Sequence, residues 1–332
     1  MGPIEVVDMH TGGEPVRIVR AGLPDIPGPD ILAKRRWARE HLDALRRFVM
    51  FEPRGHRDMY GVFPVRPTLP GADLAVLFVH NEGFSTMCGH AVIALGRWAV
   101  DTGLVAARAP TTRVGIECPC GLVEAWVEVV DGKAGAVAFD SVPAFAAALD
   151  LAVEVPGRGR VVCDVAYGGA FYALVDAGRL GLRVPGSPVA ELVAGARDTS
   201  EAVRAAFPVR HPEHADLSFL YGTILTDGGD GAGSPSDNVC VFAADEVDRS
   251  PTGSGVTARL AAAAARGATR PGIVHRFRSL TGAIFTGEVR AAARCGETDA
   301  VIVRVGGRAH YAGEARFALE PDDAIGRGFL LA

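Results

Sequence analysis

An internal repeat restricts the fold of this chain more than any other feature of its sequence. Residues 8–13 align with residues 164–169, residues 87–94 with residues 251–258, and residues 117–121 with residues 278–282. The letters match weakly, but a glycine-containing turn, a helix start and a strand follow one another in the same order in both halves. Such self-similarity indicates one structural unit used twice. The sequence therefore predicts two similar α/β halves that each present a helix N-terminus to a shared cleft, with chance similarity of glycine turns as the alternative.

Cys88 lies directly before one of these predicted helices. The apolar run over residues 91–100 is typical of a helix, and Gly103 follows as a plausible stop signal. At a helix N-terminus, unpaired backbone N–H groups and the positive end of the dipole favour a thiolate over a thiol and can also bind a carboxylate. A thiolate beside an anion site can remove a proton from the carbon next to a carboxylate. The alternative is a buried, inert cysteine, the commoner state of this residue.

Composition narrows the functional classes. The 332 residues are enough for two domains of ordinary size, and the 48% hydrophobic content is enough for a sizeable core. A net charge of −5 gives no electrostatic case for binding nucleic acid. The only lysines are Lys34 and Lys133, and neither lies in a setting that favours the Schiff-base lysine of a pyridoxal-phosphate enzyme.

The same sequence gives an expectation for the compartment. The first residues lack the basic and then apolar pattern of a signal peptide, and no apolar run approaches the roughly 20 residues that span a bilayer. We therefore expect a cytoplasmic protein with no membrane partner and with all six cysteines reduced. Cys118 and Cys120 form the only tight cysteine cluster, and without a second cluster they are expected to be strand or turn residues and not zinc ligands.

Periodicity and turn residues predict a coarse secondary structure. The predicted helices cover residues 31–50, 91–100, 189–207 and 255–266, and the predicted strands cover residues 4–9, 15–21, 59–65, 74–79, 112–118, 122–130, 134–140, 160–166, 171–176, 217–226, 238–244, 273–277, 283–289 and 301–305. The glycine-rich residues 227–236 lack the lysine of a phosphate-binding loop and are expected to form a flexible surface loop. Gly306 and Gly307 are expected to close a hairpin.

Four motifs together resemble the proline racemase family, and the resemblance covers essentially the whole chain. The motifs are Asp-Met-His-Thr-Gly-Gly-Glu at 8–14, Met-Cys-Gly-His at 87–90, Asp-Arg-Ser-Pro-Thr-Gly-Ser-Gly at 248–255 and Phe-Thr-Gly-Glu at 285–288. The resemblance implies an α/β (α+β) fold similar to diaminopimelate epimerase. Two pseudo-symmetric domains, each a central helix wrapped by a curved, mostly antiparallel sheet, would hold the active site between them, with no metal and no cofactor.

The domain boundaries follow from the same resemblance and the repeat. Residues 1–145 would form the half that carries Cys88, and residues 146–315 the half that carries Thr252. Residues 316–332 would be a C-terminal segment, with a return to the first half left open. Family members are often dimers, which leaves a homodimer open for this chain.

Thr252 departs from the pattern of the family's racemases and hydroxyproline epimerases, which carry a second cysteine after the Ser-Pro dipeptide. Inversion by two bases needs a thiolate on one side of the carbon and a thiol on the other, and a threonine hydroxyl is too weak an acid for that role. Cys88 alone can still remove the proton, and a hydroxyl on the adjacent carbon can then leave as water. Members with threonine here resemble trans-3-hydroxy-L-proline dehydratases, whose product tautomerises without further help. The alternatives are 4-hydroxyproline epimerase or proline racemase activity, and a non-catalytic binder of proline-like amino acids.

The resemblance also implies roles for individual residues. Cys88 would accept the α proton, and Thr252 would form a hydrogen bond to the leaving hydroxyl or to a water. The substrate would be bound by Gly89 and His90 at the first helix start, by Asp248 at the ring ammonium, and by the backbone N–H groups of Gly253 and Ser254 at the carboxylate. The family usually has threonine where Ser254 stands. The alternatives are that His90 only caps its helix and that Asp248 only caps the turn before Arg249.

Overall fold

The computed structural model describes residues 2–331 and shows two compact units. The chain passes from the first unit to the second after Val137 and returns to the first unit at Arg308. The division expected from the sequence, after residues 145 and 315, lies a few residues further along the chain at both places. Within residues 2–331, no helix has both the length and the apolar character needed to cross a bilayer.

The first unit begins with a series of paired strands. Its elements are β1 (Ile4–Thr11), β2 (Glu14–Ala21), α1 (Ile31–His41), α2 (Asp43–Met50), β3 (Tyr60–Val65), β4 (Leu74–His80), α3 (Gly89–Asp101), β5 (Thr111–Cys118) and β6 (Gly121–Val130), followed by β7 (Lys133–Asp140), which leads into the second unit. The β1/β2, β3/β4 and β5/β6 pairs are antiparallel, whereas the β2/β3 and β4/β5 pairs are parallel.

The second unit is a continuous stretch of chain. Its elements are β8 (Phe145–Val155), β9 (Gly159–Tyr167), β10 (Phe171–Asp176), α4 (Val189–Ala206), β11 (Leu220–Thr226), β12 (Ser236–Phe242), β13 (Glu246–Asp248), α5 (Gly253–Ala265), β14 (His275–Arg278), β15 (Ile284–Cys295) and β16 (Thr298–Gly307). The β9/β10, β11/β12 and β14/β15 pairs are antiparallel, whereas the β10/β11 and β12/β14 pairs are parallel.

The repeat is confirmed by this pairing pattern. The first six strands of the first unit follow the same alternation of antiparallel and parallel pairs as β9, β10, β11, β12, β14 and β15. The last strand of the chain, β17 (Ala309–Phe317), pairs antiparallel with β1, as β8 does with β9. The predicted fold class, two pseudo-symmetric α/β halves of mostly antiparallel strands, is therefore correct.

Each unit is built around one buried helix. Residues 89–96 of α3 are all buried, and α3 packs on β1, β2, β5, β6 and β17. In the second unit α5 is equally enclosed and packs on β8, β9, β10, β15 and β16. A helix that is apolar on all sides has to be covered on all sides, so these helices form the centre of their units and their first turns are fixed by the surrounding strands.

Several sequence predictions need correction. The helix expected over residues 31–50 is two helices, because the backbone at Leu42 leaves helical geometry (φ −114°, ψ 15°) and Asp43 starts a new first turn. β8 was not predicted, since its alanine-rich sequence carries little strand signal. The hairpin at Gly306 and Gly307 is wrong: both glycines belong to β16, and the next strand pairs with β1.

Two other segments take the structural places expected of them. Cys118 ends β5 and pairs with Gly121 across the β5/β6 turn. The glycine-rich loop over residues 227–236 lies mainly at the surface, but it is held by hydrogen bonds, since the Asp227 carboxylate accepts from the Gly229 and Asp237 N–H groups and from the Ser236 hydroxyl.

Candidate active site

Cys88 is the N-cap residue of α3. Its backbone is extended (φ −146°, ψ 105°), its Sγ accepts a hydrogen bond from the Ala91 N–H at 3.4 Å, and its carbonyl accepts the first helical hydrogen bond from Val92. The side chain is 5% exposed. The helix start predicted at this cysteine is confirmed, and the sulfur receives the partial positive charge of the N–H groups that a helix leaves unpaired at its N-terminus.

His90 lies against the Cys88 sulfur. Its Nδ1 is 3.0 Å and its Nε2 is 3.5 Å from Sγ, and Nε2 is also 3.3 Å from the Pro15 carbonyl oxygen. Because a carbonyl oxygen can only accept, Nε2 carries a hydrogen, which leaves Nδ1 of the neutral ring as the acceptor for the thiol proton. The pair can therefore pass from thiol and imidazole to thiolate and imidazolium by one short proton transfer.

The orientation of His90 depends on two further contacts. The Tyr60 ring meets the imidazole edge to face, with ring centroids 5.0 Å apart, and the Thr11 hydroxyl donates to the His90 carbonyl at 2.9 Å. Thr11 ends β1, and in the turn that follows Gly12 and Gly13 both have positive φ, a conformation that glycine adopts without strain. Through Thr11, the motif at residues 8–14 thus holds the start of α3, where Gly89 is also buried.

A neighbouring thiol does not compete with Cys88 as a base. Burial raises the pKa of Cys118, and a hydrogen bond with Cys120 raises it further. Cys118 therefore stays protonated at neutral pH. All six cysteines are unbridged in the structure.

Thr252 is the N-cap residue of α5, the position equivalent to Cys88. It has φ 62° and ψ 89°, a left-handed conformation that is an outlier for a β-branched residue. The side chain is 4% exposed, and its Oγ1 has no hydrogen-bond partner among residues 2–331. Strain and an unsatisfied buried hydroxyl both carry a free-energy cost, and such costs concentrate at functional sites. This torsion could not be predicted from the sequence.

Asp248 ends β13 and is 6% exposed. One of its carboxylate oxygens, Oδ1, accepts a hydrogen bond from the Ser250 N–H at 2.7 Å, so it does cap the turn that leads to Thr252. A capping bond to one oxygen is compatible with a cation at the carboxylate. The turn-capping alternative and the ligand-binding prediction therefore do not exclude each other.

Gly253 and Ser254 form the first turn of α5 and are buried. Their N–H groups have no acceptor within the helix, as at every helix start. The Ser254 hydroxyl is engaged with the Tyr172 hydroxyl at 2.7 Å, a contact that the sequence did not indicate. A Cβ on Gly168 would lie 2.2 Å from the Ser254 carbonyl oxygen, so the second copy of the glycine turn also packs on its helix start.

A cavity of about 360 Å³ in the second unit is separate from these groups. It is lined by Arg259 of α5 and by Arg266 directly after this helix, and by none of Asp248, Thr252, Gly253 and Ser254. The residues that the sequence predicts for the second unit therefore lie outside this cavity, at the start of α5 and in the turn before it.

Each unit thus holds a different set of groups. The first unit brings together Cys88 and His90, which can accept a proton, with Gly89 between them at the start of α3. The second unit brings together Asp248, Thr252, Gly253 and Ser254, which offer a carboxylate, a hydroxyl and two backbone N–H groups. A carboxylate suits an ammonium and N–H groups suit a carboxylate, so the second set is suited to an amino acid.

Comparison with known proteins gives consistent matches. The family model described as "Proline racemase" matches residues 6–330. A protein of Homo sapiens named trans-3-hydroxy-L-proline dehydratase is 56% identical, over 99% of this chain and 94% of that protein. A protein of Burkholderia multivorans named 3-hydroxyproline 2-epimerase is 45% identical, over 99% of this chain and 98% of that protein. The crystal structure of a hydroxyproline epimerase from Agrobacterium vitis, with bound trans-4-hydroxy-L-proline, has 28% identity and a TM-score of 0.93, and the match covers 99% of this chain and 95% of that one.

Proposed function

Because the chain belongs to the proline racemase family, we propose that it dehydrates trans-3-hydroxy-L-proline to pyrroline-2-carboxylate and water without a cofactor. The observation that carries the proposal is the pair of equivalent helix starts, one with a thiol at Cys88 and the other with a hydroxyl at Thr252. The proposal is supported by relatives of this name that are 56% identical over nearly the whole chain.

In this proposal both sets of groups act on one substrate molecule. The Asp248 carboxylate meets the ring ammonium, and the N–H groups of Gly253 and Ser254 hold the substrate carboxylate. Gly89 also binds the substrate, from the start of α3. His90 acts through its contact with the Cys88 sulfur, where Nδ1 takes the thiol proton and the imidazolium then stabilises the thiolate. The thiolate removes the α proton.

The stereochemistry of the substrate assigns the second step to the same cysteine. In trans-3-hydroxy-L-proline the α hydrogen and the 3-hydroxyl lie on the same face of the ring. A base that approaches this hydrogen therefore also lies beside the leaving group. The C3–O bond breaks as the C2–C3 double bond forms, and the proton on Cys88 goes to the departing hydroxide. The products are one water and the enamine, and the thiolate is restored.

Thr252 then faces the side of the ring that carries the carboxylate. The leaving hydroxyl lies on the opposite face, so the hydrogen bond to it that the resemblance implied for Thr252 is replaced in this proposal. The Thr252 hydroxyl instead donates to the carboxylate oxygen that gains charge when the α proton leaves, together with the N–H groups of α5. A thiol at this place would return a proton to the α carbon from the second side and invert it. A hydroxyl cannot, so the carbanion loses the 3-hydroxyl instead.

A substrate panel tests the proposal. The purified protein is incubated with proline and with the 3- and 4-hydroxyproline isomers, and pyrroline-2-carboxylate and α-deuterium exchange are followed by NMR in deuterated water. The expected result is dehydration of trans-3-hydroxy-L-proline with no change of configuration in the substrate that remains. Absence of the dehydration product at high enzyme concentration would refute the proposal.

The main alternative is an epimerase. It is favoured by the Burkholderia multivorans relative named 3-hydroxyproline 2-epimerase, and it would give deuterium exchange with inversion in the same panel. A binder without activity would be stabilised by a proline analogue but would turn over none of the isomers. The homodimer and the cytoplasmic location stay predictions, which sedimentation and cell fractionation test.

A further inference from the structure

The peptide bond that precedes Thr252 is held at both of its polar atoms. The Asn238 amide Nδ2 donates to the Pro251 carbonyl at 3.2 Å, and the Thr252 N–H donates to the Ser250 hydroxyl at 3.0 Å. The two side chains that hold it are buried, with Asn238 1% and Ser250 0% exposed. The orientation of this peptide plane is therefore set by side chains and not by secondary structure.

The other side of Thr252 is also fixed. Its carbonyl accepts from the Val256 N–H at 2.7 Å, the first hydrogen bond of α5. The φ torsion of Thr252 joins these two immobilised groups. Left-handed φ is unfavourable for a β-branched side chain, so the residue would rotate out of this region if either side were released. Such a rotation would redirect the Thr252 hydroxyl.

The holding side chains are themselves oriented. The Asn238 Oδ1 accepts from the Arg259 guanidinium at 3.2 Å, which places Nδ2 toward Pro251. The Ser250 N–H donates to Asp248 at 2.7 Å. Arg259 lies on α5 and also donates to the Gly229 carbonyl and the Ser236 hydroxyl. The glycine-rich loop and α5 thus both help to hold the peptide bond between Pro251 and Thr252.

We propose that Ser250 and Asn238 are positioning residues for the reaction. They hold Thr252 in its strained conformation, so that its hydroxyl and the N–H of Gly253 point at the substrate carboxylate. This inference rests on the proposed function for its catalytic part, while the torsion itself can be examined without any activity.

Two variants remove one holding bond each. Ser250→Ala removes the acceptor for the Thr252 N–H, and Asn238→Asp removes the donor to Pro251 while keeping an oxygen for Arg259. We expect each to lower kcat about tenfold with KM changed less than about twofold, since the carboxylate gains charge only as the proton leaves. Ser200→Ala is the matched control. Its hydroxyl forms a buried hydrogen bond of 2.7 Å with Thr223 in the same unit, so its loss should leave kcat within about twofold.

A Thr252→Gly background separates positioning from general structural support. Glycine adopts positive φ without strain and has no hydroxyl to direct. In this background we expect Ser250→Ala and Asn238→Asp to lower the residual kcat less than about twofold. The same tenfold loss in both backgrounds would overturn the inference.

Crystal structures of the wild type and both variants give the second readout. The expected result is a positive φ at residue 252 in the wild type and a departure from it in the variants. A torsion that stays unchanged in Ser250→Ala and in Asn238→Asp would overturn the inference even if their activity fell. A wild type that does not dehydrate the substrate would refute the proposed function, and the torsion would still decide whether Ser250 and Asn238 hold Thr252.

Discussion

Replacing Gly255 by alanine adds a single carbon atom, the Cβ, to the first turn of α5. Gly255 lies in the first turn of α5 and is buried. A Cβ at this position would lie 2.3 Å from the Ile224 Cδ1 and 3.0 Å from the Thr252 Cγ2. Ordinary contacts between carbon atoms are about 3.5–4.0 Å, so both neighbours would have to move.

Two opposing effects decide the magnitude. Alanine stabilises a helix by about 1 kcal/mol relative to glycine, whereas overpacking a core costs roughly 1–3 kcal/mol. Ile224 is 0% exposed and lies in β11 between neighbouring strands, so it has little room to yield. Overpacking should therefore win, with a loss of about 1 kcal/mol and a melting temperature lower by roughly 2–4 °C. Displacement of the Thr252 side chain should also lower kcat about tenfold.

Gly96→Ala in α3 is the control. It has the same gain in helix propensity, but the nearest atom to its Cβ, the Val137 Cγ1, is 3.0 Å away, so a much smaller shift is needed. Thermal unfolding by circular dichroism and turnover are measured for both variants. Gly255→Ala with the stability of Gly96→Ala and the kcat of the wild type would refute the steric reasoning.

The remaining predictions concern three residues. Cys88→Ser should lower turnover by at least about 10³-fold with an unchanged circular dichroism spectrum, because the hydroxyl is a far weaker base; retention of a tenth of the activity would contradict its role as the base. Thr252→Cys should gain α-deuterium exchange with inversion, measured by NMR and chiral chromatography. Exchange with full retention would count against the proposal that residues 88 and 252 face opposite sides of the α carbon. Burial, with the charge of His214, lowers the pKa of His211 to about 4, so the unfolded state, with a pKa of about 6.5, binds more protons between these values. The free energy of unfolding should therefore fall as pH drops from about 6.5 toward 4. The melting temperature of His211→Gln should fall less between pH 7 and pH 5 than that of the wild type.

The sequence was sufficient for the features that depend on local pattern. An apolar run after a glycine placed the start of α3 beside Cys88, and the repeated turns predicted the second unit with Thr252 as the equivalent residue. The helix starts can be predicted because a fully buried central helix needs an uninterrupted apolar stretch, which is visible in the sequence. The proline racemase motifs then added the chemistry that pattern alone could not supply.

The missing details depend on contacts between distant residues. The approach of His90 to Cys88 requires the Pro15 carbonyl to fix the ring, and the pairing of Ser254 with Tyr172 joins an α5 residue to β10. The positive φ of Thr252 contradicts the local preference of a β-branched residue and exists only because tertiary hydrogen bonds impose it. No single-sequence pattern encodes such a contact.

The return of β17 to β1 has a consequence for the order in which the chain acquires structure during synthesis. The second unit is one continuous segment, so all its strands are available once Gly307 has left the ribosome. The first unit cannot close at that stage, because the free edge of β1 still awaits residues 309–317. An open strand edge is a template for wrong pairing. β1 is therefore synthesised early but is the last strand of its unit to have both edges paired. During that interval its open edge depends on chaperones that bind nascent chains.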